Sequence, residues 1–138
     1  MKTPISCVLS SLALALAILV ATPVLAQEAA PLSLSEAGFA TLPGRWIRPD
    51  GGYVITIKSV DAGGKLDASY ANPALLPFAR AETTRDGKTI KLFFELRAGG
   101  YNGSTYTLSY DPVRDVLQGV YYQAVVQQKF AVHFTRVK

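Results

Sequence analysis

From residue 44 onward the chain alternates short apolar runs with turn-forming residues. Eight runs rich in Val, Ile, Thr, Tyr and Phe are separated by clusters of Gly, Asp, Asn or Pro, a pattern typical of strands and turns. Most separators are too short to hold a crossover helix, so neighbouring strands are expected to be antiparallel. The predicted strands are 44–48, 53–60, 65–72, 78–85, 88–98, 104–110, 116–125 and 129–137.

Alternation within these runs predicts which side chains face the core. One buried face and one polar face per strand is typical of an antiparallel sheet. A flat sheet of eight such strands would leave exposed edges, which closure into a barrel removes. We therefore predict an all-β fold over residues 44–138, an eight-stranded antiparallel up-and-down meander barrel. The predicted inward residues are Tyr53, Ile55, Ile57, Leu66, Ala68, Tyr70, Ile90, Leu92, Phe94, Leu96, Tyr106, Leu108, Tyr110, Phe130, Val132 and Phe134.

The first 26 residues have the features of a secretory signal peptide. Lys2 precedes an apolar run over 8–20, Pro23 follows it, and compact residues lead to Ala26, which is the order of signal and cleavage regions. Cleavage after Ala26 predicts a periplasmic or secreted protein. The alternative is an uncleaved membrane anchor, because residues 5–26 could just span a bilayer. Membrane contact is expected only in that case.

Residues 27–43 are rich in Ala, Pro, Ser and Glu. We predict a flexible lead-in to the barrel, with one short helical turn near residues 35–39.

Composition restricts the classes of function. Cys7 is the one cysteine and lies in the signal peptide, so cleavage leaves no disulfide, thiol nucleophile or cysteine metal ligand. An exported chain without cysteine fits a bacterial periplasm. The 14 Lys and Arg residues exceed the 10 Asp and Glu, but they are scattered. Nucleic-acid binding would need a basic cluster and is not expected.

Three residues at the two ends of the predicted barrel suggest a family. Gly44 and Trp46 open the first strand, and Arg136 lies on the inward face of the last. These strands are neighbours in a closed barrel, so Arg136 is expected to stack on Trp46 as a cation–π pair. The arrangement resembles the calycin superfamily, in which a Gly-x-Trp on the first strand packs under an Arg or Lys from the last.

Within that superfamily the short loops look most like the avidin group. Residues 64–70, Gly-Lys-Leu-Asp-Ala-Ser-Tyr, are similar to the opening of an avidin-type barrel, where Tyr70 would match a ligand-binding tyrosine. The first turn, residues 49–52, lacks the Asn and Ser that hold biotin in avidins, and Trp46 is the one tryptophan. The resemblance therefore does not extend to biotin binding.

No catalytic constellation is recognisable. His133 is predicted to face outward, and general acid–base catalysis usually needs titratable groups that converge on a pocket. Glu82 and Glu95 could converge from neighbouring strands, but with Lys91 and Arg97 nearby an exposed row of ion pairs is expected. The sequence predicts a protein that is not an enzyme and has no metal site and no cofactor.

The candidate binding residues are mainly tyrosines on the predicted inward face. A buried tyrosine offers an apolar ring and a hydroxyl that needs a partner. Several such hydroxyls near one barrel mouth could hold a small polar-aromatic or hydrophobic ligand. The alternative is that these rings simply fill a narrow barrel. The candidates are Tyr53, Tyr70, Asn72, Tyr106, Tyr110 and Tyr121.

Some apolar residues are predicted to face outward, and a contiguous outward patch would mark an interface. Val54, Phe93, Val120 and Tyr122 belong to this set if Tyr121 faces inward. The seventh strand is the best candidate for a contact in a homo-oligomer. A reversed register in that strand would exchange its two faces.

These observations lead to one main functional hypothesis and two alternatives. The main hypothesis is an exported, non-enzymatic barrel that binds a small ligand, which enters near Tyr70, Asn72 and Tyr106. The first alternative is a periplasmic protein-binding barrel, similar to a protease inhibitor, whose segment 27–43 inserts into a protease cleft. The second is a structural domain of the cell envelope. The sequence does not indicate which ligand binds.

Overall fold

A computed structural model describes residues 38–138 of the chain. Its one sheet is antiparallel throughout and has the strand order β4-β3-β2-β1-β9-β8-β7-β6-β5, so nearly all sequence neighbours are also spatial neighbours. The strands are β1 (Gly44–Ile47), β2 (Val54–Val60), β3 (Leu66–Asn72), β4 (Ala74–Pro77), β5 (Arg80–Asp86), β6 (Thr89–Leu96), β7 (Ser104–Asp111), β8 (Val116–Gln123) and β9 (Gln128–Arg136).

The up-and-down sheet curls into a half-barrel because the first and last strands pair. β1 lies antiparallel to β9, with Trp46 opposite Arg136. The two edges of the sheet approach each other at an isolated antiparallel bridge between Lys65 and Glu82. Beside this bridge the Thr83 amide donates a hydrogen bond to the Gly64 carbonyl oxygen over 2.7 Å.

The strand count differs from the prediction at one place. The segment between the third and fourth predicted strands was expected to be a turn, but Ala74–Pro77 forms β4 and pairs with β3. Pro73 and Pro77 make this segment resemble a loop. Proline is nevertheless compatible with strand ends and sheet edges, where its missing amide hydrogen costs no ladder bond. The structure therefore contains nine strands in its described part.

The predicted alternation of faces is confirmed over most of the sheet. Four inward residues of β6 are buried, as are Val132 and Phe134 of β9. Tyr121 is buried while Val120 is exposed, so the register of β8 is the one first predicted and not its reverse. The four buried residues of β6 are Ile90, Leu92, Phe94 and Leu96.

Two apolar residues depart from the predicted burial. Phe130 is 40% exposed, because it lies opposite Tyr121 near the β8–β9 turn, at the rim of the half-barrel. Val54, predicted to face solvent, is only 7% exposed; its register partners Ile47 and Ala71 flank it in the sheet. The outward position of Val54 therefore does not make it part of an exposed patch.

Residues 38–43 pack into the core instead of leading loosely up to it. Phe39, in a helical turn that includes residues 38 and 39, and Leu42, which follows that turn, are both buried. The Trp46 indole Nε1 donates a hydrogen bond to the Leu42 carbonyl oxygen over 3.0 Å. This part of the predicted lead-in belongs to the half-barrel. The predicted signal peptide and the rest of the lead-in, residues 1–37, lie outside the described residues.

No helix among residues 38–138 has the length and apolar character needed to cross a membrane.

Candidate functional site

The expected stack of Arg136 on Trp46 is present, at what we call the closed end of the half-barrel. The Arg136 Cζ lies 4.1 Å from the Trp46 ring centroid. Its nitrogens donate to both carboxylate oxygens of Asp115, over 2.8 and 3.1 Å. Two further bonds reach the carbonyl oxygens of Pro43 at 2.7 Å and Thr41 at 2.6 Å. Arg136 thus ties together β1, β9, the β7–β8 turn and the segment that precedes β1.

Gly44 and Tyr110 also belong to this end. A Cβ atom added to Gly44 would lie 2.6 Å from Arg136 Nη1, so the guanidinium would have to shift from its bond to the Pro43 carbonyl oxygen. The Tyr110 hydroxyl donates to Asp115 over 3.0 Å, and its ring packs edge-on against Trp46. Tyr110, predicted as a binding residue, therefore lies apart from the other candidate tyrosines.

The ion pair at the closed end shifts the pKa of both partners. Hydrogen bonds from Arg136 lower the pKa of the Asp115 carboxyl, and the Asp115 carboxylate raises the pKa of Arg136. Burial, reinforced by the bond to Asp115, raises the pKa of Tyr110. Arg136 and Asp115 therefore stay charged and paired, and the Tyr110 hydroxyl donates to the same carboxylate, which indicates a structural role.

The remaining candidates meet in a cavity of about 600 Å³, which we call the tyrosine pocket. Five of the six predicted binding residues line it. Its other lining residues were not predicted. The predicted residues that it gathers are Tyr53, Tyr70, Asn72, Tyr106 and Tyr121, and those that sequence reasoning missed include Arg48, Tyr101, Ser104 and Phe130.

Strand register places the aromatic side chains of the pocket next to one another. Tyr106 on β7 lies opposite Tyr121 on β8, and Tyr121 lies opposite Phe130 on β9. The Tyr106 and Tyr121 rings are stacked with centroids 4.6 Å apart. The Tyr53 and Tyr70 rings are nearly parallel at 6.3 Å. Aromatic faces therefore line a continuous part of the cavity.

Tyr101 comes from the β6–β7 connection, whose backbone conformation needs its glycines. Gly99, Gly100 and Gly103 all have positive φ angles of 62°, 83° and 90°, where residues with a Cβ are strained. The Ser104 hydroxyl donates to the Tyr101 carbonyl oxygen over 2.7 Å and fixes the turn. Strand alternation says nothing about a turn residue, which is why the sequence did not indicate Tyr101.

The pocket hydroxyls form a loose chain. Asn72 Nδ2 donates to the Tyr101 hydroxyl over 2.9 Å, Tyr101 donates to Tyr70 over 3.3 Å, and the Tyr70 and Tyr106 hydroxyls are 3.4 Å apart. The last two distances exceed the usual 2.7–2.8 Å or so of hydroxyl hydrogen bonds. These phenols therefore keep capacity to bond a ligand oxygen or nitrogen.

Burial raises the pKa of three phenols of the pocket, Tyr70, Tyr106 and Tyr121. Desolvation is the largest cause that raises the pKa of Tyr70 and of Tyr121. It also raises the pKa of Tyr106 to about 12, against the opposing effects of Tyr70 and Arg48. At neutral pH the hydroxyls of Tyr70, Tyr106 and Tyr121 therefore retain their protons and can donate them in hydrogen bonds.

Arg48 is the charged residue of the pocket lining. Its Cζ lies 4.7 Å from the Tyr53 ring centroid and 6.0 Å from that of Tyr121. It forms a bidentate pair with Asp50, with distances of 2.6 and 2.8 Å, and this pair raises the pKa of Arg48. The sequence could have indicated this position, because Arg48 lies two residues after Trp46 in the first predicted strand and therefore on the same inward face.

A second cavity, of about 740 Å³, lies at the seam between β3 and β5. Its charged side chains include Arg80 and Glu82, which already pair with each other over 2.8 Å. Glu95 pairs with Arg97 and Lys91 with Asp86. These contacts match the expected exposed ion pairs, and no aromatic hydroxyls converge here as they do in the tyrosine pocket.

The outer face carries the other predicted features. His133 is exposed on β9, and Val120 is exposed on β8, while Phe93 and Tyr122 are half-buried. The expected homo-oligomer contact through this strand, the seventh predicted one, stays a prediction.

Comparison with known proteins found no matching family, no matching curated protein and no matching solved structure. The curled antiparallel sheet is compatible with a barrel fold, and no match supports the calycin superfamily in particular.

Proposed function

We propose that this protein is an exported, non-enzymatic barrel of the calycin type and that it binds a small ligand in the tyrosine pocket. The observation that carries the proposal is the convergence of five tyrosines and one arginine on a cavity of about 600 Å³. That volume lies within the roughly 300–1,000 Å³ usual for small-molecule sites, which combine apolar walls with a few placed polar groups.

The strand register supports a closed, eight-stranded barrel. β4 pairs with β3 from Ser69 opposite Pro77 to Asn72 opposite Ala74. Continuing this register along β3 would place Lys65 opposite Ala81, and the isolated bridge places it opposite the next residue, Glu82. A one-residue bulge between β4 and β5 accounts for that shift. The two would then act as one bent strand between β3 and β6.

The depth of the tyrosines favours a pocket over a filled core. Tyr70 and Tyr106 are almost fully buried and form the floor of the cavity. Tyr53 and Tyr101 are only half-buried above them, and the partly exposed Phe130 stands at the rim. A ring stack that served only to fill the barrel would not leave a cavity bounded by hydroxyls.

The alternative of a protease inhibitor gains no support from the described part of segment 27–43. Phe39 and Leu42 are buried in the core, and the carbonyl oxygens of Thr41 and Pro43 bind Arg136. Residues 38–43 therefore cannot enter a protease cleft without opening the closed end.

Native mass spectrometry of the protein, purified without refolding from its own secretory compartment, tests the proposal. We expect an additional mass of a few hundred daltons that is lost on unfolding. Tyr101→Ala, in the pocket, should lose this mass, and Tyr122→Ala, on the neighbouring outer face of β8, should keep it. A wild-type protein that carries no ligand and captures none from an extract of that compartment would contradict the proposal. It would favour a structural or protein-binding role.

A further inference from the structure

The geometry points to a planar aromatic carboxylate as the ligand of the tyrosine pocket, with Arg48 exchanging the Asp50 carboxylate for that of the ligand. This inference rests on the proposed function and specifies the chemistry of its ligand.

The charge of the pocket lining favours an anion. Arg48 is its charged side chain, and no Asp or Glu is among the described residues that line it. The amide groups of Asn72 and Gln123 and the phenol hydroxyls can donate hydrogen bonds to a ligand oxygen. A ligand ammonium would find no carboxylate in the lining and would be repelled by the guanidinium. The lining therefore discriminates between an anion and a cation of the same shape.

The hydrogen bonds of Arg48 leave part of its guanidinium available. Nε and Nη2 are bound to the two oxygens of Asp50. Nη1 takes no part in the pair with Asp50, and the Tyr106 hydroxyl lies close enough to the guanidinium to raise the pKa of Arg48. A carboxylate matches the paired donors of a guanidinium better than any neutral group does. A ligand carboxylate can thus first contact Nη1 and then take over the bidentate position.

The position of Asp50 allows its carboxylate to move away from Arg48 into solvent. Its side chain is 59% exposed, whereas that of Arg48 is 13% exposed. Asp50 lies in the short turn between β1 and β2, where the amide of Gly52 bonds back to the Arg48 carbonyl oxygen over 3.0 Å. Water can solvate the released Asp50 carboxylate, so the exchange replaces one carboxylate with another at little cost. Tyr53 and Tyr121 meanwhile keep the guanidinium in the pocket through cation–π contacts.

The aromatic lining fits a flat ring. Tyr53, Tyr121 and Phe130 present ring faces or edges to the cavity, and aromatic pairs gain from offset-stacked or edge-to-face contact. The hydroxyls of Tyr101 and Tyr106 lie in the same lining. A ring can therefore stack at the rim while its carboxylate reaches Arg48.

Isothermal titration calorimetry at neutral pH with three probes of one ring system tests this inference. The probes are 2-naphthoate, 2-naphthamide and 2-naphthylmethylammonium, which differ in charge and share their ring system; naphthoate and naphthamide also match in shape. We expect naphthoate to bind at least about tenfold more tightly than naphthamide, and the ammonium probe to bind most weakly. Equal affinities for all three would overturn the carboxylate inference and leave the proposed function standing. Failure of all three to bind would overturn the inference of a planar aromatic ligand, while the capture of a ligand in native mass spectrometry decides the proposed function separately.

Arg48→Gln and Asp50→Asn separate the roles of the pair. Arg48→Gln should weaken naphthoate binding at least about tenfold and change naphthamide binding less than about threefold. The matched control is Arg80→Gln, which removes an arginine that also pairs with a carboxylate and lies over a ring, that of Phe93, but outside the pocket. An equal loss with both variants would contradict the role of Arg48.

Asp50→Asn should strengthen naphthoate binding several-fold, because the carboxylate that competes for Arg48 is removed. A loss of affinity would show that Asp50 is not displaced.

Discussion

The two ends of the half-barrel use the same three groups in different ways. At each end an arginine lies over an aromatic ring and forms a bidentate pair with an aspartate: Arg136 with Trp46 and Asp115, and Arg48 with Tyr53 and Asp50. Arg136 adds two backbone carbonyl oxygens, 93 and 95 residues away in the sequence. Arg48 bonds to an aspartate two residues away in its own turn.

This difference shows that the function of an ion pair depends on what else it connects. Every donor group of Arg136 is committed to a distant part of the chain, so its removal would loosen the closed end. Arg48 pairs with an aspartate of its own turn, lies over the rings of Tyr53 and Tyr121, and faces a cavity. The same chemistry therefore supports the fold at one end and is available for recognition at the other.

The largest expected difference between the ends concerns their aromatic residues. Trp46→Ala should lower the free energy of unfolding by about 3–5 kcal/mol, because it empties a fully buried site. Phe130→Ala, at the open rim, should cost less than about 1 kcal/mol. Urea unfolding followed by circular dichroism measures both. Similar losses for the two variants would mean that the pocket rim is as much a part of the core as the closed end is.

The next difference concerns the two arginines. Arg136→Gln should cost about 2–3 kcal/mol, because it removes charge-assisted bonds that link several elements. Arg48→Gln should cost less than about 1 kcal/mol, because its partner is largely solvent-exposed. The same urea experiment compares them. A larger loss of stability for Arg48→Gln than for Arg136→Gln would mean that Arg48, and not Arg136, has the structural role.

Alkaline pH should destabilise the packing of the tyrosine pocket. The pKa of Tyr106 is raised to about 12, so its contribution is complete below the unfolded pKa of about 10 and is lost as pH rises through the folded value. Between about pH 9 and pH 12 the wild type should lose up to about 2–3 kcal/mol more than Tyr106→Phe does. Unfolding at a series of alkaline pH values measures this. An identical pH dependence would mean that Tyr106 ionises freely in the folded protein.

Acidic pH should produce a smaller effect, at the closed end. Arg136 lowers the pKa of Asp115, so the stabilisation is present above the unfolded pKa of about 4 and is lost as pH falls through the folded value. The wild type should therefore lose more stability on acidification than Asp115→Asn does. Asp50→Asn is the matched control and should differ less from the wild type, because Asp50 is largely exposed. The opposite order would contradict the comparison of the two ends.

Much of the fold follows from local pattern. Alternation along β6 identified four buried side chains, and the parity of Tyr121 against Val120 gave the register of β8. The turn-forming residues marked the boundaries of all strands except β4, which was predicted as a turn because one proline precedes it and another ends it. The Trp46–Arg136 contact was predictable because closing an up-and-down sheet makes its first and last strands neighbours.

The candidate site was predicted only in part. Alternation identifies the face on which a side chain lies but not its height along the barrel. Tyr106 and Tyr110 share one face of β7, yet Tyr106 lies in the pocket and Tyr110 beside Trp46. That height depends on the stagger between neighbouring strands, which is a property of the whole sheet.

By itself the sequence determined the all-β class, the antiparallel order and the inward faces of most strands, because these depend on residues two or a few positions apart. Only the tertiary structure decided which inward residues meet. It brought Tyr101 from a turn to Tyr70 and Asn72 on β3. It also gave Arg48 and Arg136 their different surroundings, because each environment is assembled from segments that lie far apart in the chain.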